Sequence, residues 1–243
     1  MSMKLHKVLA IAGTTYPLIK DDVRLDLKSP GRAVFTIQAE AAVKGLVTLD
    51  IGYNDSTLQR HFLGYVERCT TANRTEQVVA CRELAAILAN PLPMNLRHVD
   101  MRAVLAEVSK QTGLQFRVPD QAYTRNKAPF FYSLAAGYQA LDSLAKVYTI
   151  PDFIWQQQGN GEVFAGSWAD SFFGARPALQ LPLELFNEYQ GNQSAVIAAL
   201  PGLRPGAAIN NGERVTSVAL AGTQMSIRWT KQLNAAQSAN SLN

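Results

Sequence analysis

The chain has 243 residues, 47% of them hydrophobic and 17% charged, with 16 Gly and 11 Pro, which is the composition of a folded protein of one large domain or a few small ones. Its 23 basic and 19 acidic side chains are interspersed, so a net charge of +4 gives a mixed surface and excludes a dedicated basic nucleic-acid platform. Met1–Gly13 is too short for a secretion signal, no apolar run is long enough to span a bilayer, and nothing predicts membrane insertion.

From Lys4 to about Glu83 the apolar pattern repeats every second residue, the period of strands. Val23, Leu25 and Leu27 alternate with Arg24, Asp26 and Lys28; Ser29-Pro30-Gly31 is the expected turn, and Ala33, Phe35 and Ile37 resume the alternation. Further expected strands are Val8–Ile11, Tyr16–Lys20, Leu46–Tyr53, Leu58–Cys69 and Glu76–Arg82. Many short antiparallel strands with one apolar face predict a barrel or sandwich.

The period changes at Leu84. A short helical run to Ala89 stops at Asn90-Pro91-Leu92-Pro93. Asp100 is placed to cap a helix with Met101, Val104, Leu105 and Val108 on one face, ended by Gly113. A strand over Leu114–Val118, a polar loop over Pro119–Ala128 and a strand at Phe130–Tyr132 follow. Ser133 is the expected cap of a second helix burying Leu134, Tyr138, Leu141, Leu144 and Ala145. Then FIWQQQGNGEVFAGSW, residues 153–168, sets two aromatic-rich runs on either side of Gly159-Asn160-Gly161 and predicts a hairpin. Its aromatics are expected to pack on the second helix, with Trp155 buried there; a ligand-stacking platform is the other reading.

After Trp168 the strand period returns, over Ala178–Leu185, Ala195–Leu200, Ala207–Ile209, Arg214–Leu220 and Gln224–Trp229, the last with Met225, Ile227 and Trp229 on one side. The chain ends in KQLNAAQSANSLN, a polar tail expected to dock on a neighbouring chain. The fold class is therefore α+β, mainly β: two β-barrel-like domains, 1–90 and 168–230, flank a small α/β module, 91–167, with the tail over 231–243.

Chemistry-bearing constellations are sparse. His6, His61 and His98 have no metal-site spacing, and His6 and His61 are expected at surface or edge positions. Cys69 and Cys81 form neither a CxxC motif nor a disulfide framework and are expected as reduced thiols. The N-x-S/T triplets at Asn54, Asn73 and Asn192 carry no message without a case for secretion. There is no phosphate loop, nucleophile elbow or dinucleotide fingerprint, and the Gly159–Gly161 stretch is too short to cradle a phosphate. Asp21 and Asp22, neighbours in a strand-like stretch, point to opposite faces and are expected as solvated turn residues. Hence no catalytic, cofactor-binding or metal-ligating residue is assigned, and the chain is not expected to be an enzyme.

The order barrel, α/β module, barrel resembles the baseplate hub proteins of contractile phage tails and related injection machines, of the late-control D type. RLDLKSPGRAVFTIQ, with Ser29-Pro30-Gly31-Arg32 before Phe35, resembles the first-barrel hairpin, and HFLGYVERC, with Phe62, Gly64 and Val66, the strand before the barrel crossover. DMRAVLAEVSKQTGLQF resembles the first helix of the module, ALDSLAKVYTIPDFIWQQQGNGEVFAG its helix and Trp-bearing hairpin, and LPGLRPGAAINNGERVTSVAL the opening of the last β unit. The likeness covers roughly residues 5–230, in a chain shorter than is usual for such hubs. It implies a homotrimer whose two barrels per chain form a pseudo-sixfold ring. That ring joins the sixfold tail tube to the central spike and leaves a lumen for the tape-measure protein and DNA. It also implies that the two β regions superpose about 60° apart around a common threefold axis, with edge strands meeting between subunits and the module outside. No cofactor and no specific DNA binding are implied, and the place of action is the tail baseplate of the virion, assembled in the host cytoplasm. A carbohydrate-binding β module using Trp155, Trp168 and Trp229, or a peptidoglycan-acting tail protein, are the alternatives.

Overall fold

The computed structural model describes residues 4–54, 57–190 and 193–230; the C-terminal tail and Asn192 lie outside the described residues. The fold is mainly β with few helices. The first β region contains β1 (Leu5–Ile11), β2 (Thr14–Tyr16), β3 (Leu18–Asp26), β4 (Ser29–Gln38), β5 (Leu46–Tyr53), β6 (Gln59–Thr71) and β7 (Glu76–Glu83). The middle region holds β8 (Met94–Val99), α1 (Met101–Thr112), β9 (Phe116–Arg117), β10 (Ala128–Ser133), α2 (Gly137–Val147), β11 (Phe153–Gln157) and β12 (Val163–Ser167). The last region contributes β13 (Phe186–Gln190), β14 (Ser194–Ala198), β15 (Ala208–Ile209), β16 (Glu213–Ala221) and β17 (Gln224–Thr230).

Strand alternation is obeyed where it was clearest: Val23 and Leu25 of β3, Ala33, Phe35 and Ile37 of β4, and Met225, Ile227 and Trp229 of β17 are all buried. Two local expectations are corrected. The turn after β3 falls at Leu27–Lys28, with Lys28 at φ 60°, and Ser29-Pro30-Gly31 opens β4. Pro30 is tolerated because the β3–β4 register slips between Arg24↔Arg32 and Asp26↔Ser29, a bulge that needs no ladder donor there. Likewise Tyr16–Lys20 is not one strand but is divided at Pro17 between β2 and β3.

The strands of both β regions belong to a single twelve-stranded sheet, in the order β13-β14-β17-β16-β3-β4-β7-β6-β5-β1-β2, with β15 beside β16. Its first part curls until β1 lies near β3, where Lys7 Nζ meets Asp21 Oδ2 at 2.6 Å. Leu9, Phe35, Leu49 and Phe62 of the first region and Ile197, Val218, Leu220 and Ile227 of the last lie in one apolar core. The middle region has its own core, with Val104, Leu105, Leu141, Leu144 and Trp155. Its sheets are small: β8 with β10, and β11-β12-β9.

The two halves of the large sheet are repeats of one design. The run β3-β4-β7-β6-β5 has the same order as β13-β14-β17-β16-β15, every pair being antiparallel. The registers coincide as well. Ile37 faces Gln77 and Phe35 faces Val79, as Ile197 faces Met225 and Ala195 faces Ile227. Glu67 is an extra residue between the pairs Val66↔Cys81 and Arg68↔Ala80; Thr216 is the same extra residue between Val215↔Trp229 and Ser217↔Arg228. Ile19 and Asn187 are a second matched bulge, each between a pair that begins its strand and the next. Bulges fix register and re-aim strands, so their coincidence ties the two regions to one backbone plan.

In the middle region α1 is as expected: Asp100 Oδ1 accepts the N–H of Ala103 at 2.9 Å, and Gly113 closes the helix at φ 76°. The second helix begins later than expected, at Gly137 with Ala136 as its cap. Ser133 ends β10 and Leu134 is 65% exposed, because Ala135 and Ala136 are held extended against Pro91 and Leu92. The expected strand at Ala178–Leu185 is also corrected. That stretch, preceded by Pro177 and interrupted by Pro182, forms one bridge and a single helical turn at Leu183–Leu185, and β13 starts after it.

Candidate functional site

The most informative place in the molecule is the joint between the repeats. Ser217–Ala221 of β16 pair antiparallel with Asp22–Asp26 of β3, and the N–H of Leu27 extends the ladder to the carbonyl of Thr216 at 2.9 Å. Backbone pairing of this kind depends little on side-chain identity, so it can join any two strands with compatible edges. Lys7 pins the joint, reaching Asp21 with one hydrogen bond and the carbonyl of Gly222 with another. Asp21 and Asp22 do face opposite sides, but neither is a solvated turn residue. Both lie in β3, Asp21 buried against Lys7 and Asp22 half-buried, paired with exposed Arg24 at 2.9 Å.

A buried polar clasp holds the two β regions to the hairpin β11–β12. Arg204 donates to the carbonyl of His61 at 2.7 Å, to Glu83 Oε1 at 3.0 Å and to the carbonyl of Gln157 at 3.3 Å. Glu83 Oε2 takes the N–H of Gly31 at 2.6 Å. Gln157 bridges onward, donating to the carbonyl of Leu63 and accepting from the N–H of Ala85. Burial raises the Glu83 carboxyl above its ordinary range, while Arg204 and the Gly31 N–H pull it back down. A charge pair so enclosed fixes geometry more than it adds stability.

His61 overturns the surface-or-edge expectation, being only 2% exposed. The β5–β6 register slips between Leu49↔Phe62 and Asp50↔Arg60, which makes His61 a bulge residue and turns it inward beside buried Phe62. Desolvation, with the charges of Arg204 and Lys7, lowers its imidazole to about 3. His6 is half-buried on β1 and His98 is exposed, so the three histidines are not brought together. Cys69 and Cys81 are free thiols, and burial, then Cys69, push Cys81 up to about 12.

The hairpin is scaffold. Trp155 is 1% exposed, stacks on Tyr138 of α2 with centroids 5.6 Å apart, and donates through Nε1 to Asp142 at 3.1 Å. Trp168 donates to the carbonyl of Gly206 at 2.9 Å beneath the Arg214 guanidinium, and Trp229 lies in the sheet core. All three tryptophans are thus turned inward and cannot present the exposed stacking faces that a sugar-binding module needs. Exposed aromatics sit elsewhere, on the outer face of β10, where Phe130 and Tyr132 stand beside Leu134. Arg97 covers the Phe130 ring from 5.6 Å.

No family model matches the chain. An uncharacterized 58.7 kDa protein in the lys 3′ region of Haemophilus phage HP1 is 29% identical over 221 residues, 90% of this chain; the chain spans 41% of that relative's length. Among solved structures, the 43 kDa tail protein of prophage MuSo2 from Shewanella oneidensis superposes with a TM-score of 0.70 at 10% identity, covering 94% of this chain and 98% of that one. The tail protein from Neisseria meningitidis MC58 gives 0.62 at 10% identity, with 94% and 96% covered. An Escherichia coli component of the type VI secretion system, itself similar in structure to bacteriophage T4 tail proteins, gives 0.61 at 12% identity, with 92% and 77% covered. The chain therefore shares the fold of phage tail proteins over nearly its whole described length.

Proposed function

We propose that this chain is a non-enzymatic structural protein of a phage tail, a baseplate hub. Three copies form a ring of six β units, two from each chain, between the sixfold tail tube and the central spike. The observation that carries this reading is the register-matched repeat: a threefold object can meet a sixfold one when each subunit offers two interchangeable halves. In this reading residues 1–90 and 168–230 are the two barrel-like domains and 91–167 is a module on the outer side. The tape-measure protein and then DNA pass through the lumen, whose wall carries no dense Lys/Arg lining, so that DNA slides without being gripped. The protein acts in the virion, after assembly in the host cytoplasm. Its neighbours would be the tube protein, the spike and other baseplate proteins.

Light scattering over a range of concentrations tests the assembly directly. A mass of three chains, with threefold particles and a central opening in negative stain, is the expected outcome. A compact monomer at every concentration would overturn it.

A further inference from the structure

A groove that no packing described above uses follows the middle region from α1 toward the loop at Pro201. It begins where α1 passes β9, as a depression of about 580 Å³ lined by Arg102, Ala106 and Ser109 of the helix and by residues 115–118. It continues past Arg117 and Glu162 into a second depression beside Gly159 and Asn160, and past Phe172 into a third of about 560 Å³ among Phe173, Pro177, Leu200 and Pro201. Each part offers a different kind of contact. At the start the backbone of β9 is open. The carbonyl of Gln115 takes the N–H of Val163 at 2.8 Å, so in this parallel ladder the next residue turns its N–H and C=O away from β12. Phe116 thus presents one donor and one acceptor at the edge where β9 ends its sheet. Along the groove the charge is positive. Arg117 and Arg176 are exposed and have no carboxylate partner among the described residues. Arg176 stacks on the Phe172 ring at 3.6 Å, which leaves its planar fork of donors available. Glu162 is the one acid among the lining residues, and Asn160 already donates to it at 2.7 Å. The far end is apolar, with Phe172 and Leu179 exposed at its rim.

We propose that this groove takes an extended, acidic segment of a different protein. Its backbone adds to β9 at Phe116, its carboxylates meet Arg117 and Arg176, and one bulky apolar side chain fills the space among Phe173, Pro177 and Leu200. The three contacts together select a polypeptide. A nucleic acid would use the arginines but neither the strand edge nor the apolar end, and a sugar chain would use neither of those. The carboxylates are required because the groove brings positive charge with no acid to balance it, and a neutral peptide would leave Arg117 and Arg176 desolvated without a partner. The apolar side chain supplies most of the affinity, since it is removed from water in a recess that is already formed. The inference goes beyond the hub reading and does not depend on it: the groove lies within one chain and is the same in a monomer and in a ring.

Selection of random dodecapeptides displayed on ribosomes against the full chain tests this, with the enriched sequence synthesised carrying fluorescein and its binding read by anisotropy. Enriched peptides should carry acidic residues near one bulky apolar residue. Arg117→Glu and Arg176→Glu, both at exposed positions, should each weaken binding by about tenfold or more while melting as the native chain does. Lysines in place of the peptide's acids should restore affinity for the charge-reversed chains, which a fault in folding would not allow. Methylating one backbone nitrogen of the peptide should abolish binding, and tolerance of methylation at every position would overturn the strand addition to β9. Failure to enrich any sequence, or binding indifferent to both arginines, would overturn the proposal. So would displacement of the labelled peptide by a synthetic KQLNAAQSANSLN, which would make the occupant this chain's own tail. Binding of labelled oligothymidylate that depends on Arg117 and excludes the peptide would equally overturn it, in favour of a nucleic acid.

Discussion

At the scale of single residues, three side chains carry separable burdens. Trp155 fills the space between β11 and α2 and finds a partner for its indole N–H in Asp142, so Trp155→Ala should cost about 3–5 kcal/mol, read from urea denaturation. Arg204 neutralises a carboxylate that has no access to water. Arg204→Met should therefore destabilise by roughly 3–5 kcal/mol, and adding Glu83→Gln should recover part of the loss by removing the stranded charge. His61 gives a pH signature. Its folded value near 3 lies below the ordinary 6.5, so the unfolded chain takes up this proton first as the pH falls. The stabilisation gained by keeping the ring neutral is complete above pH 6.5 and drains away toward pH 3. Glu83 shifts the other way, so the useful comparison is between two proteins. The urea midpoint of the native chain should fall more between pH 7 and pH 5 than that of His61→Leu; equal falls would show that His61 is not held neutral.

Elements were legible in the sequence where a single period or a cap decided them. The alternation in β17, the stripe and cap of α1 and the hairpin around Gly159–Gly161 each rest on interactions within a dozen residues. What escaped was set at longer range. The start of α2 is delayed because Ala135 and Ala136 are held extended against Leu92 and Pro91, and Gly137 packs where an added Cβ would lie 2.8 Å from both Leu88 and Leu92, contacts no local pattern announces. The strand β8 alternates only over Met94–Arg97 before His98, at φ 50°, breaks the pattern and leaves Val99 to rejoin the core, so it offers too short a period to read. The repeat itself was visible only as a shared period and turn chemistry. Its register is a backbone property, and the side chains at matched positions differ as widely as Phe35 and Ala195. The joint, likewise, unites residues nearly two hundred apart and leaves no trace in spacing. Gly64 is an element-level constraint with a clear test. A Cβ there would stand 2.0 Å from the carbonyl oxygen of Arg82, so Gly64→Ala must push β6 away from β7. A loss on the order of 1–3 kcal/mol is expected by thermal melting, with the Trp155 environment unchanged.

For the whole molecule, one core shared by both β regions means that neither can lose its packing without exposing the other. Thermal unfolding should then show the strands of both halves melting in one transition; two resolved β transitions would show that the joint is only superficial. The same joint has a consequence for the order in which the chain is made. β3 leaves the ribosome early, but its partner β16 follows only some two hundred residues later. At usual rates of synthesis that is a wait on the order of ten to forty seconds. Throughout that interval the nascent protein carries a bare strand edge of nine residues, Leu18–Asp26, beside other growing copies of itself. Fragments truncated before Glu213 should therefore aggregate where the full chain does not, and yield of soluble protein should rise when translation is slowed or holdase chaperones are supplied. Timing of synthesis is then as much a part of reaching the native sheet as the finished shape.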